Sequence, residues 1–139
     1  MRITTKGRYA LRASLALAKL GEHGLPVSIN TLSSEENVSS VFLEQIFFKL
    51  KKAGIVSSTR GPGGGFTFSQ ALNQITVKQV LEAAGEDLDK IFCDKRKDDC
   101  ERVGECMSHE VWVDANDLVK NYFANITLSS IVNREAEKH

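Results

Sequence analysis

The segment from Cys93 to His109, CDKRKDDCERVGECMSH, constrains this chain more than any other stretch. It carries all three cysteines, spaced C-x6-C-x5-C, and His109 follows three residues after the last of them. Between them stand charged residues, one glycine and almost no apolar side chain, so the segment cannot build a core of its own. Ordering such a loop costs roughly 1–2 kcal/mol of backbone entropy per residue, and something must offset that cost. Three soft thiolates and an imidazole can do so by sharing a metal centre, because binding and ordering are then a single equilibrium.

Other readings of the cysteines compete. A disulfide would pair two of them and strand the third, and no secretory signal suggests an oxidising compartment. Redox-sensing free thiols are a second alternative, although free cysteine is usually buried and these lie in the most polar segment. Among metals, a structural zinc site usually brings two ligands together as C-x2–4-C, and both gaps here are longer. An iron–sulfur cluster with mixed thiolate and imidazole ligation suits such gaps better.

With 139 residues, 42% of them hydrophobic, the chain can bury a core without covalent staples, as one compact domain plus an appendage. Its net charge of zero hides a split. Residues 1–70 hold nine Lys/Arg against four Asp/Glu, a balance of +5, and residues 71–139 hold nine against fourteen, a balance of −5. A polyanion such as nucleic acid would therefore be met by the first half. Arg2, Lys6, Arg8 and Arg12 before ASLALA imitate a targeting signal, but Lys19 ends that apolar run after six residues. No run approaches the ~18 residues of a membrane span. A cytoplasmic protein without a membrane partner is expected.

Thr4 or Thr5 caps a first helix to about Leu20, stopped by Gly21 and Gly24. Tyr9, Ala13, Ala16 and Leu20 form one apolar stripe on it, and Leu11, Leu15 and Ala18 another, the pattern of a central helix. Ser28 caps a short second helix, Asn37-Val-Ser breaks it, and Ser39 or Ser40 caps a third to about Ala53, with Gly54 at its end. Helix, tight break, helix is the helix-turn-helix pattern. In the third helix Leu43, Ile46, Phe47 and Leu50 recur at core spacing. Ser40, Val41, Glu44, Gln45, Phe48, Lys49, Lys51 and Lys52 are left outside, either as an ordinary solvated face or as a surface for base edges.

IVSSTR and GFTFS are two short alternating runs joined by GPGGG. The glycines, Gly63 and Gly64 among them, let the backbone approach another surface, and Arg60 stands at the tip. This reads as a β-hairpin wing whose arginine enters a minor groove or grips phosphate. A phosphate-cradling nucleotide loop is the rival, but the G-K-[ST] ending is missing. Thr76 caps a further helix to Gly85. From Ser108 a long helix runs to about Asn125, with Val111, Ala115, Leu118, Tyr122 and Ile126 on one face and Trp112, Val119 and Phe123 beside it. A face this wide suits a second copy of the chain, packing back onto the first helix, or both. Thr127 caps a last short helix. The fold class is thus mainly α with a small β-hairpin, in three parts: a winged helix-turn-helix over 1–85, a cysteine-rich loop over 86–109 and a dimerisation helix with a short C-terminal helix over 110–139.

MRITTKGRYA, FLEQIF, SSTRGPGGGF, the three cysteines and ANITLSSIVN together resemble the IscR family of iron–sulfur cluster regulators, in register over nearly the whole chain. The resemblance implies dimeric winged-helix DNA-binding proteins with a long helix crossing to the partner subunit. It also implies a 2Fe–2S cluster on three cysteines and one histidine, here Cys93, Cys100, Cys106 and His109. Two departures stand out. The first cysteine gap is six residues where the family typically has five, and Val41 replaces a residue that is often small and polar. A sister branch of nitric oxide sensors holds a 4Fe–4S cluster with three cysteines and a carboxylate near the N-terminus, where this chain has Arg8.

The expectation is a homodimeric regulator of cluster-assembly genes, loaded by the cluster assembly machinery, whose choice among palindromic double-stranded DNA operators depends on cluster occupancy. Ser39, Ser40, Glu44 and Gln45 would face bases and Arg60 the adjacent minor groove, with Lys6, Arg8 and Lys51 on phosphates. Glu44 would repel phosphate unless a donor such as cytosine N4 meets it, and so can reject sites as well as select them. An electron-transfer or cluster-donor protein would leave the wing and the basic half unexplained, and a DNA-binding protein with structural zinc would be colourless. His23 and His139 have no nucleophile or carboxylate arranged around them in sequence, so no enzyme is expected.

Overall fold

Hydroxyl side chains start five of the six helices described. Thr4, Ser28, Ser39, Thr76 and Thr127 each accept a hydrogen bond from a backbone N–H of the first turn they precede, satisfying a donor that the helix itself leaves open. Thr76 is one half of a reciprocal capping box with Gln79. The computed structural model describes residues 3–22, 24–91 and 106–138. Within them run α1 (Thr5–Leu20), α2 (Ile29–Glu36), α3 (Ser40–Lys52), β1 (Val56–Thr59), β2 (Gly65–Phe68), a 3-10 turn (Leu72–Gln74), α4 (Val77–Ala83), α5 (His109–Asn125) and α6 (Leu128–Glu137). The expected class, mainly helical with one small hairpin, is what the chain adopts.

The main core lies where α1, α2, α3 and the hairpin meet. Ala10, Ala13 and Leu17 of α1 pack with Leu32, Leu43, Ile46, Phe47, Leu50 and Val56, and Ile75, Val80 and Leu128 close it from the C-terminal side. The α3 positions are those its 3.6-residue spacing selects. In α1 the stripe runs differently from expectation: Leu17 is buried at 1% exposure and Leu20 is 40% exposed. Ala10, Ala13 and Leu17 follow one face at i, i+3, i+7, and Leu20 sits on the last turn, where the core has ended.

Asn37 ends α2 in the left-handed region, at φ 53°, and turns the chain sharply into α3. This is the break of the helix-turn-helix. The two strands pair antiparallel, Val56 opposite Phe68 and Thr59 opposite Gly65. Phe66 exchanges backbone hydrogen bonds with Val27, N to O at 2.9 and 3.0 Å, and its ring lies 4.9 Å from that of Phe47. The wing is therefore fastened both to the loop before α2 and to α3.

A second cluster joins the two ends of the chain. Val77, Leu81, Leu88 and Ile91 pack with Ile3 and Leu11 from the N-terminal part and with Val119, Phe123, Ile126 and Ile131 from α5 and α6. The N–H of Val77 donates to the carbonyl of Ile126, and that of Leu128 to the carbonyl of Ile75, each at 2.9 Å. α6 thus packs back onto α1. By contrast, α5 packs onto α4 and meets the N-terminal part through the cluster around Val77 and Leu81, not directly along the first helix as one of its readings expected. None of the helices described is long and apolar enough to cross a membrane.

Candidate functional site

With its core face buried, α3 presents Val41, Glu44, Gln45 and Phe48 as an exposed stripe at helical spacing. Ser39 is exposed and its hydroxyl caps the helix at the amide of Phe42, while Ser40 is half-buried on the first turn. Lys6, in the first turn of α1, lines a water-sized crevice with Phe42, Gln45, Ile46, Lys49 and Ala84. The structure thus brings Lys6 and Gln45 to one face. Arg8 is exposed two positions further along α1, on another side of that helix. The edge-on contact of Tyr9 with Phe42, centroids 5.6 Å apart, holds α1 against α3.

The wing extends this face. Lys51 donates from Nζ to the Ser58 hydroxyl at 2.7 Å, tying the end of α3 to the first strand, so this expected phosphate contact is also a strut. Arg60, Gly61, Pro62 and Gly63 are exposed at the tip. At Gly64 a Cβ would overlap the carbonyl oxygen of Thr59, and at Gly65 that of Val27. Glycine is required there because the backbones close on each other, whatever the wing later touches.

Of the four expected cluster ligands, Cys106 and His109 are described and Cys93 and Cys100 lie outside the described residues. Cys106 and His109 stand at the start of α5, both half-buried, with the His109 amide donating to the Cys106 carbonyl at 3.2 Å. The Cys106 sulfur lies 3.2 Å from the Ser108 hydroxyl. Among the described residues no three His, Cys, Asp or Glu side chains are grouped to hold a metal.

Two residues that sequence reasoning did not single out anchor the approach to this segment. The side chain of Asn116 on α5, buried at 6% exposure, accepts from the Ile91 amide at 2.9 Å and donates to the Leu88 carbonyl at 2.6 Å. Lys120, one turn on, pairs with Asp89 at 2.7 Å. Asn116 is seven residues from His109, about 10 Å along the helix axis. Ile91, two residues before Cys93 in sequence, is therefore held beside the middle of α5, while Cys106 and His109 stand at the start of the same helix. Glu86 is the other anchor: its carboxylate accepts from the amides of Thr4 and Gly7, at 2.9 and 3.2 Å, and from the Thr4 hydroxyl. It is buried, at the N-terminus of α1, where the helix dipole favours a negative charge. No local sequence signal marks either residue, since their partners are 25 to 82 positions away.

Arg12 and Lys120 are held more firmly protonated than usual, Arg12 chiefly by its hydrogen bond to Glu36 and Lys120 by that to Asp89. Both serve as ties between elements. The exposed cations of the α3 and wing face, Lys52 and Arg60 among them, remain available to an anionic partner.

A family model described as Rrf2, iron-dependent transcriptional regulator, matches residues 3–134. The chain is 38% identical over 135 residues to the HTH-type transcriptional regulator IscR of Pectobacterium carotovorum, covering 97% of this chain and 81% of that one. Among solved structures, IscR of T. potens superposes with a TM-score of 0.80 at 25% identity, over 100% of this chain and 91% of that one. CymR, described as the global cysteine regulator of B. subtilis, superposes with the same TM-score of 0.80 at 28% identity, over 96% of this chain and 98% of that one.

Proposed function

The chain belongs to the Rrf2 family of transcriptional regulators, and from that premise we propose that it is a homodimer that holds a 2Fe–2S cluster and selects DNA sites according to whether that cluster is bound. It is a DNA-binding regulator of the IscR type and not an enzyme. In this reading residues 1–85 meet DNA, 86–109 hold the cluster and 110–139 pair the subunits, in the cytoplasm.

The observation that carries the reading is the donor set. Cys106 stands three residues before His109, which opens α5, and Asn116 ties the lead-in to Cys93 to the same helix. Cys93, Cys100, Cys106 and His109 would hold the cluster, which when bound supplies sensitivity to iron–sulfur supply and to oxidants. His109 makes the ligand set exchangeable, because imidazole binds iron less firmly than thiolate. The cluster assembly machinery is the source and its genes the targets.

On the DNA side, Ser39, Ser40, Glu44 and Gln45 address base edges from the exposed stripe of α3, and Arg60 enters the neighbouring minor groove. Lys6, Arg8 and Lys51 neutralise phosphates, with the backbone of Gly63 and Gly64 close to the duplex. Two such surfaces in a dimer address the halves of a palindromic operator about one helical turn, ~34 Å, apart. Support for the dimer comes from α5, where Val111, Trp112, Val113, Leu118 and Tyr122 remain exposed. An apolar surface of that extent is what a second copy would cover.

The test is His109→Ala. It should bind sites read by the unloaded protein as the native chain does, and fail at sites that need the cluster. Native behaviour at both classes of site would remove His109 from the ligand set.

A further inference from the structure

We infer that Val41 reads the 5-methyl group of a thymine in each half-site, next to the base addressed by Glu44. This rests on the proposed role of α3 in DNA recognition and carries it to a single base.

Val41 is the second residue of α3 and is 63% exposed, while Leu43, Ile46, Phe47 and Leu50 on the other face are at most 3% exposed. It is therefore no part of the core, and an exposed β-branched residue is a poor choice for a solvated helix position. What it offers is two methyl groups in a nearly fixed place, because a valine in a helix has one strongly preferred rotamer. A rigid apolar knob at the start of a recognition helix matches one feature of the major groove, the methyl that distinguishes thymine from the other bases.

Phe48, two turns on, is exposed as well, but the nearer neighbours of Val41 are polar and favour DNA over an apolar protein partner. Glu44 and Gln45 stand on the same stripe one turn on, both exposed, and Lys6, Lys49 and Lys51 lie on or beside the same helix. A cationic surround suits a phosphate backbone. One helical turn is about 5.4 Å, and successive bases on a strand are about 3.4 Å apart. Val41 and Glu44 can thus address adjacent bases, the valine a thymine methyl and the carboxylate a cytosine N4 amine. A hydroxyl at position 41 would lack this apolar preference.

The full-length protein, purified without oxygen, would be used to select sites from random duplexes, beside Val41→Ser. The native chain should enrich thymine at one position per half-site, and the variant should lose that preference there and keep the others. On the selected operator, deoxyuridine in place of that thymine removes only the methyl and leaves the protein untouched. Native affinity should fall about fourfold per half-site, the scale of burying one methyl, with Val41→Ser indifferent to the change. Should deoxyuridine at every thymine in turn leave native affinity unchanged while sequence-specific, salt-sensitive binding persists, the assignment to Val41 is wrong and the regulator reading stands. If the native chain enriches no sequence at all, the DNA-recognition reading itself fails and takes this assignment with it.

Discussion

Gly7 leaves open the space that the Glu86 carboxylate occupies: a Cβ at position 7 would overlap that carboxylate, whose oxygen instead accepts the Gly7 amide at 3.2 Å. The contact joins the first turn of α1, which carries Lys6, to the residue that begins the lead into the cysteine segment. Glu86→Ala takes the acceptor from the Thr4 amide and leaves the Gly7 amide only its long cap contact with the Thr4 hydroxyl, and Gly7→Ala displaces the carboxylate. Each should lower stability by about 1–3 kcal/mol in denaturant unfolding. Because both remove one interaction, the double variant should lose much less than the sum. Strict additivity would show that the two residues do not act together.

Asn116 should matter to the cluster without being a ligand. Asn116→Ala frees the Ile91 amide and the Leu88 carbonyl, each in a buried place. The helical fold should persist with reduced stability, and iron bound per chain after anaerobic purification should fall. Asn116→Asp keeps the acceptor for Ile91 and loses the donor to Leu88, and should fall between the two. Full iron loading in Asn116→Ala would separate the lead-in from the site.

The reach of sequence reasoning follows the range of the interaction. Thr4, Ser28, Ser39, Thr76 and Thr127 were legible as caps because a cap bonds only two or three residues ahead. The α3 core followed from spacing alone, as did the exposed stripe opposite. In α1, apolar residues on nearly every side left the buried face ambiguous, and Leu17 was passed over for Leu20. Glu86 and Asn116 were illegible for another reason: each bonds across a fold that must exist before the pair does. The cysteine segment shows the division within one site. Its chemistry is written in three thiols and an imidazole, whereas the anchoring of Leu88 and Ile91 by Asn116 just before it is not.

The apolar face of α5 predicts the oligomeric state. Leu118 is 73% exposed and Tyr122 49%, one turn apart. Leu118→Glu with Tyr122→Glu should yield a monomer by sedimentation, with its helical content kept, and operator affinity should drop because one half-site contact is lost. Dimers of unchanged stability would place the interface elsewhere.

Phosphate and base contacts should separate by salt. Arg60→Ala and Lys6→Ala should weaken binding to all sequences alike and reduce the steepness of the salt dependence by about one counterion each. Glu44→Ala should instead admit sites the native chain rejects, at little cost to the salt slope. An equal loss on every sequence for Glu44→Ala would make it a bystander.

The most direct test of the central claim is the iron and acid-labile sulfide content of the native protein purified without oxygen, read beside its visible absorption. A red-brown protein with about two of each per chain is expected. One zinc and no colour would contradict the account and leave the cysteine segment a structural brace, and about four iron and four sulfide per chain would contradict the 2Fe–2S assignment.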